Sequence, residues 1–167
     1  AFIIFSSLTW IYMNHYYEKN IIFFQINSNF LLIKILLFLI YLQVAIGALV
    51  SGLDAGKIYQ TWPLMNESYF PDDNFLNNFF NLNDAGFVQF LHRNVAYVIF
   101  VLCVYLGIVI YKKKIINLYI HYFIFIFFII LQIIFGIFVL YSNVNIYVAS
   151  LHQISSIFLI VSSLNLY

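Results

Sequence analysis

Two histidines stand near the beginnings of two long apolar stretches, and they are the residues best suited to chemistry. His92 lies in residues 89–93, QFLHR, and His152 lies in residues 150–153, SLHQ. An ionisable side chain inside an apolar helix indicates a functional site, because burying it in lipid is costly. Two imidazoles at matching depth on two helices are typical of axial ligands to a haem iron. The sequence therefore predicts a haem-iron site formed by His92 and His152.

The composition places these histidines in a membrane. Of 167 residues, 65% are hydrophobic and 8% are charged, with a mean hydropathy of +0.98. Soluble domains average about 45–50% apolar and about 25% charged residues. No basic cluster has the pattern of a nucleic-acid-binding face, so no nucleic-acid partner is expected. The single Cys103 lies inside an apolar run, which predicts a small buried side chain and no disulfide framework.

Apolar runs long enough to cross about 30 Å of hydrocarbon as helices occur at 30–52, 87–111, 115–141 and 146–167. The predicted fold is all-α: a polytopic membrane protein with a four-helix transmembrane bundle over residues 30–167. A long polar loop, 53–86, follows the first span. Residues 1–13 are too few to span, so we expect them to end a preceding transmembrane helix, with 14–29 as a loop on the inner side.

The charged residues predict the orientation, because cytoplasmic loops hold the excess of Lys and Arg. Lysines flank the first span and form the turn after the second, at positions 19, 34 and 112–114. Acidic residues fall in the loop 53–86, at positions 54, 67, 72, 73 and 84. The loop is therefore predicted to be outside. His92 and His152 then lie near the outer ends of parallel spans, each roughly two turns inside its helix.

An internal repeat relates the two histidines. Residues 42–50, LQVAIGALV, align with residues 131–139, LQIIFGIFV, and the next helix carries Leu-His in both copies. A duplicated hairpin related by an axis along the membrane normal places equivalent residues opposite each other across the bundle. The glycines, Gly47 and Gly136, would allow close helix approach, and Gln43 and Gln132 are predicted to form hydrogen bonds between helices.

Other readings of these polar residues remain open. A single membrane histidine is often only a hydrogen-bonding partner between helices, and the pairing by repeat, depth and direction is what favours ligation. His15, in a predicted loop, and His121, without a repeat mate, are not expected to be ligands. Arg93 is predicted to bind the cofactor through a haem propionate, with lipid phosphate or Asp84 as alternative partners.

Residues 47–66, GALVSGLDAGKIYQTWPLMN, resemble the signature of the haem A synthase family in its proteobacterial and mitochondrial branch. The QFLHR motif, the Gln132 and Gly136 pattern and the LHQ motif follow in the order that the family shows. The resemblance covers the chain from about residue 31 onward. It implies an eight-helix protein of two similar four-helix halves, and this chain is similar to the carboxy-terminal half together with the end of the preceding helix.

In that family, the carboxy-terminal half holds a b-type haem between two histidines that match His92 and His152. The amino-terminal half binds the substrate, haem O, and carries a glutamate beside its own histidine pair. At the related position this chain has Gln89, which suits a haem that transfers electrons or supports the fold. The resemblance therefore implies that this chain alone lacks the half that oxidises the substrate.

The whole protein is expected to be an oxidoreductase that converts the methyl group of haem O to the formyl group of haem A, for cytochrome c oxidase assembly. Expected partners are haem O, membrane lipid, haem O synthase and oxidase assembly factors, and the sequence does not identify the electron donor. The expected location is the bacterial inner membrane, or the mitochondrial inner membrane in a eukaryote. The alternative functions are a bis-histidine cytochrome b electron-transfer subunit and a membrane scaffold without haem.

Overall fold

The computed structural model describes residues 2–16, 31–71 and 80–167. Five helices lie in these residues: α1 Phe2–Tyr16, α2 Leu31–Gly52, α3 Ala85–Lys112, α4 Tyr119–Tyr141 and α5 Ile146–Leu166. Two 3-10 turns, Ala55–Lys57 and Ile116–Leu118, precede α3 and α4. The described part of the chain forms no β-sheet, and its only strand-like pairing is a bridge between Met65 and Ser68. The predicted all-α class is confirmed.

Four of these helical segments are long and apolar enough to cross a membrane. They are Leu31–Gly52, Ala85–Lys112, Ile116–Tyr141 and Ile146–Leu166. The four predicted runs are confirmed with small changes at their ends. The second begins two residues earlier, at Ala85, because the Asp84 side chain accepts a hydrogen bond from the backbone N–H of Phe87 at 2.7 Å and caps the helix.

The first helix corrects one predicted boundary. Residues 14–16 were assigned to an inner-side loop because their side chains turn polar, but α1 continues through them to Tyr16. A change to polar side chains is a weaker signal for a helix end than glycine or proline, and residues 14–16 contain neither. The rest of that predicted loop, 17–29 with its lysine at position 19, lies outside the described residues. The helix α1 packs against α5.

The four long helices form a closed ring of neighbours. The helix α2 packs against α3 and α5, and α4 packs against the same two helices. The helices α3 and α5, which bear the two histidines, therefore occupy opposite corners. The core includes Leu36, Ile40, Cys103 and Ile160, each at most 1% exposed, so the predicted burial of Cys103 is confirmed.

The outward helix faces are apolar as well. Phe38 on α2, Val101 on α3 and Phe123 on α4 are each more than 60% exposed in the isolated chain. A helix that is apolar around its whole circumference is expected where lipid replaces water as the solvent. The exposed aliphatic and aromatic side chains therefore agree with a membrane environment.

The two ends of the bundle differ in chemistry. At one end, called the lysine end, the Lys34 ammonium lies 5.5 Å from the ring centroid of Tyr167, and the turn 112–114 joins α3 to the segment before α4. The opposite end, called the loop end, holds residues 53–71, the 142–145 turn and the start of α3. We call residues 53–71 the cap.

The cap buries some of its apolar side chains against the protein and exposes others, such as Leu64 and Phe70. Ala55, Tyr59 and Met65 are each at most 3% exposed. Its turn is held by the Thr61 hydroxyl, which donates to the Leu64 carbonyl at 2.9 Å and accepts from the Asn66 N–H at 2.8 Å. Residues 72–79 of the predicted outer loop lie outside the described residues.

Candidate functional site

His92 lies where α3 comes close to α2. A Cβ atom at Gly47 of α2 would lie 3.2 Å from Cε1 of the His92 ring, so the ring packs directly against this glycine. One turn before it, Gln43 Nε2 donates to the backbone carbonyl of His92 at 2.9 Å and lies 3.3 Å from Nε2 of the ring. Glycine therefore provides the space for the ring, and glutamine fixes the neighbouring backbone.

His152 has the same surroundings on the other side of the bundle. A Cβ atom at Gly136 of α4 would lie 3.5 Å from Cε1 of the His152 ring. Gln132, one turn before Gly136, donates through Nε2 to the backbone carbonyl of His152 at 3.0 Å. The predicted role of Gln43 and Gln132 as hydrogen-bonding residues between helices is therefore confirmed. The repeat in the sequence is also a repeat of contacts.

The two copies differ in the residue that lies three positions after the histidine. Three residues after His152 lies Ser155, whose hydroxyl accepts from Gln132 Nε2 at 2.6 Å and donates to the His152 carbonyl at 3.0 Å. The residue three after His92 is Val95, which has no hydroxyl. In that copy the amide nitrogen of Gln43 lies beside the imidazole ring instead.

Both imidazoles keep one ring nitrogen without a protein partner. Nδ1 of His92 and Nδ1 of His152 are buried and make no hydrogen bond within the described residues. A buried polar atom without a partner costs about 1–3 kcal/mol, so such atoms in a native protein call for a specific explanation. Neutral imidazole is the commonest metal ligand among side chains. Rings with unfilled hydrogen-bonding capacity are compatible with a site that accepts a metal, and His121 at the lysine end has such a ring nitrogen as well.

The donor set limits which metal group fits. Among the described residues there is no group of three or more His, Cys, Asp or Glu side chains able to hold a metal ion. A zinc site needs at least three protein ligands, whereas a haem iron takes four nitrogens from its porphyrin and only one or two axial ligands from the protein. Two histidines on opposite helices fit a haem and do not fit a site for a free ion.

Arg93 contacts the cap. Its side chain is buried, with Nη2 donating to the Tyr59 carbonyl at 2.8 Å and Nη1 donating to the Leu64 carbonyl at 3.2 Å. Within the described residues, the alternative partner Asp84 does not contact this guanidinium and instead caps α3. Only Nε of Arg93 is without a partner there. A contact between Arg93 and a haem propionate stays a prediction.

Gln89 has a structural role that its sequence position did not predict. The side chain is 3% exposed, and Nε2 donates to the Tyr59 carbonyl at 2.8 Å. Gln89 and Arg93 are four residues apart, which places them on one face of α3 and lets both reach the same carbonyl. The spacing of Gln89 and Arg93 is visible in the sequence. Their shared acceptor is a backbone carbonyl, which every residue has, so the sequence does not indicate it.

The other two histidines lie away from this pair. His15 is exposed near the end of α1. His121 lies in the first turn of α4, at the lysine end, whereas His92 and His152 lie toward the loop end. The structure therefore does not bring either residue to the paired histidines.

The comparisons with known proteins agree with this picture. The COX15-CtaA family, described as cytochrome oxidase assembly protein, matches residues 1–164. The heme A synthase of Pelagibacter ubique (strain HTCC1062) is 40% identical over 136 residues, which cover 80% of this chain and 40% of the relative. The heme A synthase of Rickettsia prowazekii (strain Madrid E) is 39% identical over 158 residues, which cover 84% of this chain and 47% of the relative. No solved structure matches the chain.

These matches confirm the family that the motifs predicted. The chain spans less than half the length of these curated relatives. Its four apolar helices and its bacterial relatives make it a multi-pass inner-membrane protein. The chain belongs to the COX15-CtaA family of cytochrome oxidase assembly proteins, together with these heme A synthases.

Proposed function

We propose that this chain is the half of a heme A synthase that holds a b-type haem, with His92 and His152 as the axial ligands. The observation that carries the proposal is the repeated arrangement of glutamine, glycine and histidine on opposite helix pairs. In both copies the ring packs against a glycine and keeps an unpartnered, buried Nδ1. Among the described residues Nδ1 of His121 is also buried without a partner, so the paired arrangement on opposite helices, and not the free ring nitrogen alone, favours a haem over a scaffold.

The surrounding residues hold the two rings at fixed positions. The amides of Gln43 and Gln132 each bind the backbone carbonyl of the histidine itself, so the rotation of α3 and α5 about their axes is tied to α2 and α4. Axial ligands need this control because a small rotation of a helix moves its side-chain tips by several times the displacement of its backbone. A haem bound between two histidines supplies electron transfer and has no open coordination position.

It follows that the proposed haem assists the reaction and is not the place where the substrate is oxidised. We propose that the whole protein oxidises the methyl group of haem O to the formyl group of haem A, in the half that this chain does not contain. Gln89, at the position related to the expected glutamate of that half, donates through its amide nitrogen to the Tyr59 carbonyl of the cap. We further propose that haem O synthase and oxidase assembly factors are partners of the whole protein, and that the loop end faces the outside.

The test is the visible spectrum of the full-length protein carrying His92→Ala or His152→Ala. Each variant should lose the low-spin signal of this haem, because one axial ligand is gone. His15→Ala and His121→Ala are matched controls and should leave the spectrum unchanged. A low-spin signal of full intensity in either of the first two variants would overturn the ligand assignment.

Pigment extraction tests the activity separately. Cells that express the full-length protein together with a source of haem O should accumulate haem A. A cytochrome b subunit would bind haem without this conversion, so the absence of haem A would contradict the proposed activity and leave the ligand assignment standing.

A further inference from the structure

The described cap lies against the bundle at several separate places. On one side its residues Tyr59 and Pro71 contact the start of α3, where a Cβ atom at Gly86 would lie 3.4 Å from Cε2 of Tyr59 and 3.7 Å from Cβ of Pro71. On the other side the Tyr141 hydroxyl of α4 donates to the Trp62 carbonyl at 3.1 Å. The cap therefore bridges α3 and α4 across the loop end, which is the end of the bundle nearer to His92 and His152.

Two buried side chains of α3 make the strongest polar contacts to the cap. Gln89 Nε2 and Arg93 Nη2 each donate to the Tyr59 carbonyl at 2.8 Å, and Arg93 Nη1 reaches the Leu64 carbonyl at 3.2 Å. A carbonyl oxygen has two lone pairs, so the Tyr59 acceptor is filled by these two donors. A bond from a charged donor is about twice as strong as a neutral one.

The position of these donors in the membrane explains why they are needed. Arg93 lies eight residues after the first residue of α3, which is about 12 Å along the helix axis. Irregular backbone near membrane depth is tolerated only when its polar groups are satisfied by protein or by water. Gln89 and Arg93 satisfy the cap carbonyls from within the bundle, so the cap can stay closed with Tyr59 and Met65 buried.

We propose that Gln89 and Arg93 are positioning residues that hold the cap closed over the loop end and thereby limit aqueous access to the His92/His152 site. Because Arg93 directly follows His92, any movement of the cap is coupled to the helix that carries this histidine. The contacts alone support the role of these residues in holding the cap. That the shielded group is a haem rests on the proposed function.

Cysteine labelling can test whether the cap is closed. The single native cysteine of the chain, Cys103, is fully buried, so it should not react with a water-soluble maleimide. Met65→Cys places a thiol at a cap position that is 2% exposed, and Leu64→Cys places one at the neighbouring position, which is 42% exposed. In the full-length protein, with labelling read at the substituted residue by mass spectrometry, position 65 should react at least tenfold more slowly than position 64. Equal rates would mean that the cap is open and would overturn the proposal.

The second step tests the two donors. Adding Gln89→Leu to Met65→Cys should raise the labelling rate severalfold, because the change removes one donor to the Tyr59 carbonyl. The rise should stay below the full effect of a lost buried hydrogen bond, because the same change removes Gln89 Oε1, which is buried without a partner among the described residues. Gln153→Leu is the matched control, because Gln153 follows His152 as Arg93 follows His92 but is exposed. A rate unchanged by Gln89→Leu, or raised equally by Gln153→Leu, would contradict the assignment.

A third measurement separates this proposal from the proposed function. In sealed vesicles with the loop end outside, dithionite should reduce the haem of the Gln89→Leu protein at least severalfold faster than that of the parent, with the low-spin spectrum retained. Faster labelling together with an unchanged reduction rate would overturn the shielding role. Loss of the low-spin spectrum in His92→Ala concerns only the ligand assignment, since the labelling experiment does not require haem.

Discussion

The two glutamines of the repeat allow a comparison. The same substitution by leucine should change the free energy of unfolding by different amounts at Gln43 and at Gln132. Gln132 Nε2 donates to the His152 carbonyl at 3.0 Å and to the Ser155 hydroxyl at 2.6 Å. Gln43 Nε2 donates to the His92 carbonyl at 2.9 Å and lies near its ring, but Gln43 Oε1 is buried without a partner in the described residues. Replacing each by leucine keeps the approximate volume and removes the amide.

The expected magnitudes follow from these bonds. Hydrogen bonds between membrane helices contribute about 0.6 kcal/mol on average, and buried bonds in general about 1 kcal/mol. Gln132→Leu loses two bonds and should lower the free energy of unfolding by about 1–2 kcal/mol. Gln43→Leu loses one good bond but also removes a buried unpartnered oxygen that costs about 1–3 kcal/mol, so its net effect should lie between zero and a stabilisation of about 2 kcal/mol.

The assay is the unfolding of the full-length protein in mixed micelles, titrated with a denaturing detergent and followed by far-ultraviolet circular dichroism. The His121→Ala variant, altered at the lysine end, serves as a reference for an unrelated change. A loss of stability for Gln43→Leu that equals or exceeds that for Gln132→Leu would refute the reasoning. Such a result would mean that the Gln43 carbonyl oxygen has a partner in the native protein.

Three further predictions use other features of the bundle. Gly47→Ala should weaken haem retention more than Gly136→Ala, because the added Cβ would meet the histidine ring at 3.2 Å in the first case and at 3.5 Å in the second; haem content after gel filtration measures this, and equal losses would contradict it. A reporter fused after Lys114 should read as cytoplasmic and one inserted near Asp72 as external, and the opposite activities would reverse the proposed orientation. Arg93→Leu should lower the haem reduction potential with both histidines still bound, because a nearby positive charge favours the reduced state, and Arg93→Lys should lie between; redox titrations that give one potential for all three proteins would remove this role.

The sequence predicted the helices and the paired residues well because both depend on side-chain type. Long apolar runs require helices in lipid, and the repeated spacing of Gln43, Gly47 and His92 recurs in the second hairpin because the same contacts recur. Each of these features depends on the type of a side chain, or on the lack of one at glycine, and the amino-acid sequence gives this directly.

The cap could not be predicted in the same way. Its main contacts to α3 are backbone carbonyls of Tyr59 and Leu64, and every residue has such a carbonyl. The positive charge of Arg93 suggested an anionic partner, yet its two terminal nitrogens bind neutral carbonyl oxygens. The end of α1 was misplaced for a related reason, because the polarity of Asn14 was read as a change in backbone conformation.

The two hairpins have connections of very different length, and the described part of the long connection lies against the short one. The second hairpin turns within 142–145, and the cap from the first lies directly on that turn, with Gly56 so close to Val144 that an added Cβ would come within 3.3 Å of its side chain. Residues inserted into the short turn would occupy the space that the cap fills. The lysine-end turn at 112–114 has no such neighbour among the described cap residues. Lengthening the 142–145 turn would therefore require the cap to move, so the path of one connection limits the length of the other.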